Sequence, residues 1–420
     1  MADRQMNTWN YASQLQIFSH SICSKLYWCF KEGAGAHKLY QGSYGSVFNL
    51  EFSPVEDIAL AVLENRAIIA YDPRTNSKIH VVPHAHEDAV NCISFLDSCS
   101  FVTCSDDQTI KLWDLRHPGC SMATLKGHKN WVKNIEYDRR SGLLFSVAFF
   151  DGIRYWDLNK LDSYVDEDVD NLAISVPNPT RMRLSPDGST MFVSTKKNFS
   201  LIINNFDGKT LHMIRNDVKR LLAVPSDQKL CKTLKEMKTN RPSVHHMSGL
   251  SGERAYRAVM SVTYHPSGKF VGLRHLDIKN ESLIHELTTL YNTEESEYSP
   301  IYRIQQTGQN FLKYVDEFSE PESYDYIKEI CFSPDGRILA SPYKDGVRLL
   351  AVDSWCTPMD LYFDPRFHSS EKSLCNPDFE EVAICKGHSS NVLTCKFAHH
   401  DLIVGTGCMQ GKVLFHKPQL

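Results

Sequence analysis

The stretch that decides the fold is "HEDAVNCISFLDSCSFVTCSDDQTIKLWDLR", residues 86–116. An alternating strand is followed by a polar turn, a second apolar strand, a turn with two aspartates, and a third strand that ends in Trp-Asp. A period of two between apolar side chains is typical of strands that bury one face. The stretch therefore predicts consecutive antiparallel strands joined by short turns.

The same order of strands and turns recurs along the chain. It is clear at 47–75 and 127–159, and weaker copies lie at 182–208, 258–289, 327–353 and 387–416. Successive clear units begin about 40 residues apart, which is the blade length of a WD-repeat propeller. A single four-stranded unit leaves two apolar faces uncovered, so the units must pack against one another. We therefore predict an all-β, seven-bladed WD-repeat β-propeller with a short N-terminal helical segment and long loops between blades.

The turns between the first and second strands share a hairpin phrase. Ser-Pro-Asp-Gly occurs at 185–188 and 333–336, and His-Pro-Ser-Gly occurs at 265–268. Proline favours the first corner of a tight turn, and glycine accepts the positive φ that closes it. We therefore expect tight turns at these places.

Composition and charge narrow the class of protein. The 420-residue chain has 46 basic and 50 acidic residues, which gives a net charge of -4 and does not call for nucleic acid or a membrane surface as a direct partner. Its 13 cysteines form no Cys-x-x-Cys pair and no zinc spacing, which is typical of reduced thiols. The N-terminus has no signal-peptide pattern, and no apolar run reaches about 18 residues. We expect an intracellular protein of the nucleus, the cytoplasm or both.

Two regions are predicted, an N-terminal segment at 1–41 and the propeller at 42–420, with long insertions at about 216–254, 293–326 and 356–384. Within the first region, four apolar residues recur at steps of three and four, the spacing of one helical face. These residues are Leu15, Phe18, Ile22 and Leu26. The predicted amphipathic helix either packs on the propeller or binds a partner.

Polar residues of the two clearest repeats resemble the hydrogen-bonded relay of WD-repeat proteins. In that family a His, an Asp, a Ser or Thr, and a Trp brace one blade. The matching positions are His86, Asp107, Thr103 and Trp113 in the second repeat and His128, Asp151, Ser146 and Trp156 in the third. Because the third repeat is one residue shorter between Asp151 and Trp156, we expect a distorted relay there, and the last repeat has Phe415 where the Trp is expected. We interpret the relay as structural, since buried polar groups need hydrogen bonds.

Arg116 is not explained by the relay. The run Trp113-Asp114-Leu115-Arg116 resembles a motif of the WD-repeat substrate receptors of cullin-4 RING ubiquitin ligases. In that family Trp-Asp-x-Arg at the end of a blade's third strand binds the damage-specific DNA-binding protein adaptor. The resemblance covers about residues 42–215 and returns at 329–350. It implies that Trp113, Asp114 and Arg116 contact this adaptor, because an exposed guanidinium can pair with carboxylates or carbonyls across an interface.

Two observations leave the adaptor contact open at this point. Trp-Asp-x-Arg is also one common ending of a WD-repeat strand, and short motifs match by chance. The second copy, Trp156-Asp157-Leu158-Asn159, lacks the arginine. Receptors of the family also place a helical segment ahead of the propeller in the adaptor's cleft, so the resemblance implies the same use for Leu15, Phe18, Ile22 and Leu26.

Candidate catalytic and metal-binding residues are few. Three histidine pairs occur, at 84 and 86, 245 and 246, and 399 and 400. None has a third ligand at a helpful spacing, and no phosphate-binding loop or nucleophile elbow occurs. We therefore expect no enzyme activity, no metal and no cofactor. The predicted function is that of a non-catalytic receptor that docks an unknown protein substrate onto a cullin-4 RING ligase. The alternative is a general WD-repeat scaffold in another intracellular complex.

Overall fold

The strands of this chain form small antiparallel sheets. A computed structural model describes residues 44–54, 58–163, 172–174, 176, 179–195, 199–204, 210–215, 257–268, 270–280, 283–292, 300–304, 328–351, 380–399 and 401–418. Within these residues the strands make seven sheets, and one 3-10 helix spans Leu158–Ser163. Each sheet is a meander, in which every strand pairs with the next one along the chain.

The first four sheets use sixteen strands. Sheet 1 contains β1 (Val47–Phe52), β2 (Ala59–Leu63), β3 (Ile68–Asp72) and β4 (Ser77–Val82). Sheet 2 contains β5 (Val90–Phe95), β6 (Ser100–Ser105), β7 (Ile110–Asp114) and β8 (Ala123–Leu125). Sheet 3 contains β9 (Val132–Asp138), β10 (Leu143–Ala148), β11 (Gly152–Asp157) and β12 (Leu172–Ile174). Sheet 4 contains β13 (Pro179–Leu184), β14 (Thr190–Thr195), β15 (Phe199–Asn204) and β16 (Thr210–Arg215).

The other three sheets follow in chain order. Sheet 5 contains β17 (Arg257–Tyr264), β18 (Phe270–Asn280), β19 (Leu283–Asn292) and β20 (Pro300–Ile304). Sheet 6 contains β21 (Cys331–Phe332), β22 (Ile338–Tyr343), β23 (Gly346–Ala351) and β24 (Glu380–Lys386). Sheet 7 contains β25 (Val392–Phe397), β26 (Val404–Cys408) and β27 (Val413–His416).

Burial decreases from the middle strands to the outer strand of a sheet. All five residues of β2 are buried, whereas β4 of the same sheet has no buried residue. The sequences match this difference, since β2 reads ALAVL and β4 reads SKIHVV. A strand covered on both faces is apolar throughout, and an outer strand needs polar side chains toward water.

Apolar clusters or hydrogen bonds join each sheet to the next one along the chain. Separate clusters combine side chains of sheets 1 and 2, 2 and 3, 3 and 4, 4 and 5, and 6 and 7. Between sheets 5 and 6, Arg274 Nη1 donates to Ser341 Oγ at 2.8 Å, and His265 Nε2 lies 3.1 Å from the carbonyl of Gly336. Stacking of this kind covers the apolar faces that a lone sheet would leave exposed.

The last sheet packs against the first, which closes the sheets into a ring. The ring of Phe415 meets Phe52 and Tyr71 at centroid distances of 5.9 and 6.0 Å. Gly407 of β26 lies so close to β1 that an added Cβ would stand 2.5 Å from Val47 Cγ1. The contact between the two termini of the propeller therefore requires a residue without a side chain.

The predicted turns occur where the hairpin phrase places them. The amide of Gly188 donates to the carbonyl of Ser185 at 2.8 Å, and the amide of Gly336 donates to Ser333 at 2.9 Å. Both glycines have positive φ, 65° and 74°. These turns reverse the chain between the first and second strands of sheets 4 and 6.

The prediction of an all-β WD-repeat propeller is confirmed. The number of complete blades stays a prediction, because sheet 7 has three described strands. The N-terminal segment at 1–41 and its predicted helix lie outside the described residues, as does the predicted insertion at 216–254. The structure places β20 within the stretch 293–326 and the beginning of β24 within 356–384, so parts of these predicted insertions are outer strands.

A buried or partly buried ionic network joins the first strands of sheets 1, 3, 4 and 7 to Glu329, which precedes β21 of sheet 6. Glu329 accepts a hydrogen bond from Asn49 Nδ2 at 2.5 Å and lies 3.4 Å from Arg181 Nη2. Arg183 pairs with Glu136. Lys396 and Glu51 form a further pair of this network, 2.9 Å apart, which joins sheets 7 and 1. This network could not be predicted from the sequence, because its members are far apart along the chain.

Candidate functional site

The relay of sheet 2 is fully hydrogen-bonded. His86 Nδ1 lies 2.8 Å from Asp107 Oδ2, and His86 Nε2 lies 2.8 Å from Thr103 Oγ1. Trp113 Nε1 donates to the same Thr103 oxygen at 2.8 Å. Burial lowers the pKa of His86 against the opposing effect of Asp107, so the imidazole is held neutral. The four side chains stabilise the end of β7, whose last residue is Asp114 and which Arg116 follows by two residues.

The relay of sheet 3 has the same geometry, so the expected distortion was wrong. His128 lies 2.6 Å from both Asp151 Oδ2 and Ser146 Oγ, and Trp156 Nε1 donates to Ser146 Oγ at 2.9 Å. The hydroxyl and the indole are separated by ten residues in both sheets. The turn compensates for the missing residue after Asp151 with one additional residue before it.

Sheet 7 replaces the indole of the relay with a second histidine. Thr406 Oγ1 lies 2.7 Å from His388 Nε2 and 3.0 Å from His416 Nε2, and His416 follows Thr406 by ten residues. The sequence-based assignment of Phe415 to the Trp position was therefore wrong by one residue, because β26 pairs Thr406 with Leu414. Burial lowers the pKa of both histidines, in the case of His416 to about 4.

Asp114 and Arg116 form a two-pronged ion pair at the end of β7. Arg116 Nε lies 3.0 and 3.1 Å from the two carboxylate oxygens, and Arg116 Nη2 lies 2.7 Å from Oδ2. The side chain of Asp114 is 8% exposed, whereas that of Arg116 is 69% exposed. Hydrogen bonds from the Arg116 side chain and backbone lower the pKa of Asp114 to about 2.

This pairing leaves part of the guanidinium for a partner. A guanidinium has five N–H donors, and Asp114 engages those on Nε and Nη2, so the Nη1 group has no role in the pair. The buried carboxylate fixes the plane in which the exposed donors point. A fixed guanidinium loses less conformational entropy on binding than a mobile one, which favours recognition of a carboxylate or of backbone carbonyls.

A second arginine occupies the corresponding position of sheet 1, and sequence analysis missed it. The run Tyr71-Asp72-Pro73-Arg74 ends the third strand of that sheet, as Trp113-Asp114-Leu115-Arg116 does in sheet 2. Arg74 pairs with Asp401 of sheet 7 at 3.1 Å, and its side chain is 57% exposed. The signal was an Asp-x-Arg at the end of a third strand, which the change from Trp to Tyr obscured.

Sheet 3 shows what the same turn does without an arginine. Asp157 accepts hydrogen bonds from the backbone and side chain of Asn159 at 3.0 and 3.1 Å. Arg116, Arg74 and Asn159 all lie at the end of the ring that carries the turns between first and second strands and between third and fourth strands. We call this end the Arg116 end. The predicted contacts Leu15, Phe18, Ile22 and Leu26 lie outside the described residues.

Within the described ranges, no three or more His, Cys, Asp or Glu side chains are arranged to hold a metal ion. His86, a member of one histidine pair in the sequence, is engaged in the relay. No helix in the described part of the chain has the length and apolar character needed to cross a bilayer.

Comparison with known proteins identifies similar sequences along most of the chain. Residues 77–114 match the WD40 family, described as WD domain, G-beta repeat. The chain is 32% identical over 413 residues to DDB1- and CUL4-associated factor 10 of Xenopus laevis, covering 90% of this chain and 86% of that protein. It is 32% identical to the Danio rerio protein of the same name, with 94% and 78% covered, and 30% identical to that of Homo sapiens, with 90% and 70% covered. The resemblance seen at 42–215 and 329–350 is to the same factor.

Proposed function

The chain belongs to the DDB1- and CUL4-associated factor 10 family, and on this basis we propose that it is a non-catalytic substrate receptor of a cullin-4 RING ubiquitin ligase. The names of its relatives describe those proteins as associated with DDB1 and CUL4. In this chain, one end of the propeller would hold the adaptor DDB1, and another surface would hold a protein substrate. The contribution to the reaction is proximity, since a held substrate presents its lysines at high effective concentration to the conjugating enzyme.

The observation that carries the proposal is the exposed Arg116 fixed by the buried Asp114. Arg116 would contact the adaptor, Asp114 would position it, and Trp113 would anchor the strand end through Thr103. Arginine is frequent among the few interface residues that dominate binding free energy. Arg74 lies at the same end on the neighbouring sheet and would extend the contact. From the sequence pattern alone, the apolar face of Leu15, Phe18, Ile22 and Leu26 would supply a second contact.

The proposal is tested by titration calorimetry of the full chain with purified DDB1. We expect binding by the wild type and a loss of about 2 kcal/mol or more for Arg116→Ala, the size typical of an interface hot spot. Arg139→Ala is the matched control, because Arg139 is exposed at the same end of sheet 3 and is not part of the motif. Circular dichroism of each variant checks the fold. Absence of binding by the wild type would refute the adaptor role.

An equal loss with Arg139→Ala would show that general positive charge, and not the motif, attracts the adaptor. Deletion of residues 1–41 tests the second contact, and we expect weaker binding by the shortened chain. Unchanged affinity after the deletion would remove the N-terminal segment from the proposal without affecting Arg116.

One observation favours a second candidate function, a general WD-repeat scaffold. The Asp114–Arg116 pair is satisfied within the chain, so it would also form in a protein that never meets the adaptor. For such a scaffold, Arg116→Ala would remove the pair with Asp114 but leave the binding of partner proteins unchanged. The calorimetric titration with DDB1 separates the two functions directly.

A further inference from the structure

Three aromatic side chains form an exposed cluster on sheet 3. Trp131 precedes β9, and Phe149 and Phe150 form the turn between β10 and β11. Trp131 and Phe149 have ring centroids 6.4 Å apart, and those of Phe149 and Phe150 are 5.1 Å apart. Trp131 is 50% exposed and Phe150 is 68% exposed. We call these three residues the aromatic cluster.

The other sheets show that the fold does not require aromatic residues at these positions. In sheet 3 the amide of Phe149 donates to the carbonyl of Trp131 at 3.0 Å. The same backbone hydrogen bond, at the same length, joins Asp106 to Ala89 in sheet 2 and Met409 to Asn391 in sheet 7. Residues without an aromatic ring therefore satisfy the same backbone geometry, and the aromatic cluster of sheet 3 is not needed to build the blade.

Phe150 occupies a backbone conformation that disfavours it. Its φ is 57°, in the left-handed region, where bulky residues are rare outliers. The corresponding turns of four other sheets have positive φ at Arg66, Gln108, Lys344 and Gly411. A polar residue or glycine thus meets the need of the turn, whereas Phe150 combines backbone strain with exposed apolar surface. Both cost stability, and strained residues of this kind concentrate at functional sites.

The aromatic cluster lies at the end of the ring opposite Arg116. The turn between second and third strands and the turn between third and fourth strands are at opposite ends of an antiparallel sheet. Phe150 lies in a turn between second and third strands, that of β10 and β11. Arg116 lies in a turn between third and fourth strands, that of β7 and β8. A molecule bound to the aromatic cluster would therefore leave the Arg116 end accessible.

Charges around the aromatic cluster indicate the chemistry of its ligand. Lys133 Nζ lies 4.9 Å from the centroid of Trp131 and 2.6 Å from Asp106 Oδ1. Asp151 is engaged by His128 and Arg154. Asp106 and Asp151 are thus both paired within the chain. Among the described residues of the two loops that carry the cluster, Lys129 presents an exposed ammonium group that is outside these pairs.

We propose that the aromatic cluster is a docking site for an unfolded protein segment that carries a bulky apolar side chain next to acidic residues. The apolar side chain would pack on Phe150 and the edge of Trp131, and a carboxylate beside it would pair with Lys129. Burial of the exposed aromatic surface favours binding, and the charge of Lys129 favours segments that carry acidic residues. The inference rests on the proposed function, since the docked segment would be that of the substrate to be modified.

The test begins with a displayed library of random linear peptides, selected on the purified full chain. The enriched peptides are expected to share a bulky apolar residue flanked by Asp or Glu. A synthetic version of the most enriched peptide is then measured by fluorescence anisotropy. Phe150→Asn should weaken its binding by about tenfold or more, as loss of a hot-spot side chain does. Asparagine tolerates positive φ, so the turn is retained.

Two further variants test whether Lys129 sets the charge preference and whether any exposed apolar side chain would bind the peptide equally well. Lys129→Glu should weaken binding of the acidic peptide and favour a peptide in which lysines replace the acidic residues. Ile79→Thr is the matched control, because Ile79 is an apolar side chain 53% exposed on the outer strand of sheet 1, and we expect unchanged affinity. Absence of enriched peptides would overturn the proposal, as would enriched basic peptides or equal binding by Phe150→Asn.

Self-association would also overturn it. If sedimentation shows a dimer of the wild type that Phe150→Asn abolishes, a second copy of the chain covers the cluster. The adaptor titration is independent of these results, and Phe150→Asn should bind DDB1 as the wild type does. Failure of the wild type to bind DDB1 would refute the receptor function but leave the peptide site intact. Failure of the peptide selection would refute the peptide site but leave the receptor function intact.

Discussion

Asp114 holds Arg116 by two hydrogen bonds to one guanidinium, with Nη2 2.7 Å from Oδ2 and Nε 3.0 Å from Oδ1. The carboxylate is buried at the end of β7, whose Trp113 is anchored to Thr103 by the relay. The chain of contacts runs from the interior of the blade to an exposed side chain. The relay of the blade and Asp114 thereby fix the orientation of the exposed Arg116 side chain.

The first prediction concerns Asp114→Asn, which retains the shape of the side chain and removes its charge. Arg116 would lose its fixed orientation, because the amide cannot accept two charge-assisted hydrogen bonds. We expect the affinity for DDB1 to fall about tenfold although Arg116 is present. Titration calorimetry measures the affinity, and combination with Arg116→Ala should add little further loss, since both changes act on one pair.

The corresponding aspartate of sheet 3 provides the control for this prediction. Asp157 accepts hydrogen bonds from Asn159 in place of an arginine. Asp157→Asn should therefore leave the affinity for DDB1 unchanged. Wild-type affinity of Asp114→Asn would show that the pair does not position Arg116 for binding.

The second prediction concerns the relay of sheet 2. Trp113→Phe preserves an aromatic ring against Phe101, on which the indole stacks with a centroid distance of 6.2 Å, but removes the N–H that Thr103 accepts. Loss of a buried hydrogen bond should lower the free energy of unfolding by about 1 to 3 kcal/mol. Urea unfolding followed by circular dichroism measures it.

Trp131→Phe is the control, because Trp131 is half exposed and makes no relay hydrogen bond. Its effect on the free energy of unfolding should be within about 0.5 kcal/mol, as for most surface substitutions. Equal losses for the two variants would mean that the relay does not stabilise the blade through its indole.

Features that depend on short segments could be predicted from the sequence. Alternation predicts the strands, and the Ser-Pro-Asp-Gly turns follow from the φ preferences of proline and glycine. The members of the relay in sheets 2 and 3 could be assigned from their resemblance to the relay of WD-repeat proteins. The relay of sheet 7 could not, because the choice between Phe415 and His416 depends on the register of β26 and β27.

Features that depend on contacts between distant segments could not be predicted. Glu329 meets Asn49 across 280 residues, and Arg74 meets Asp401 across 327. Alternation and spacing carry no information about such pairs, since they describe one segment at a time.

The third prediction concerns pH. Burial lowers the pKa of His265 and His416 from the ordinary 6.5 to about 4. Below pH 6.5 the unfolded chain therefore binds protons that the folded chain does not, so stability is complete above this pH and falls until the pH is near 4. The loss should be on the order of 3 kcal/mol for each histidine.

Urea unfolding at a series of pH values checks this dependence. His416→Gln should reduce the fall in unfolding free energy between neutral and acidic pH, because one of the titrating groups is absent. His80→Gln is the control, since His80 is exposed on β4, and its pH dependence should match that of the wild type. Identical pH dependence of the wild type and His416→Gln would contradict the role of this histidine.

The fourth prediction concerns the contact that closes the ring. In Gly407→Ala the new Cβ would stand 2.5 Å from Val47 Cγ1 and 2.8 Å from Val47 Cβ, so β26 and β1 must move apart. Overpacking of this kind costs about 1 to 3 kcal/mol of unfolding free energy. Gly119→Ala is the control, because an added Cβ there meets no atom within 4 Å. Thermal unfolding should show a lower Tm for Gly407→Ala alone, and equal Tm values would show that sheets 7 and 1 are not tightly packed.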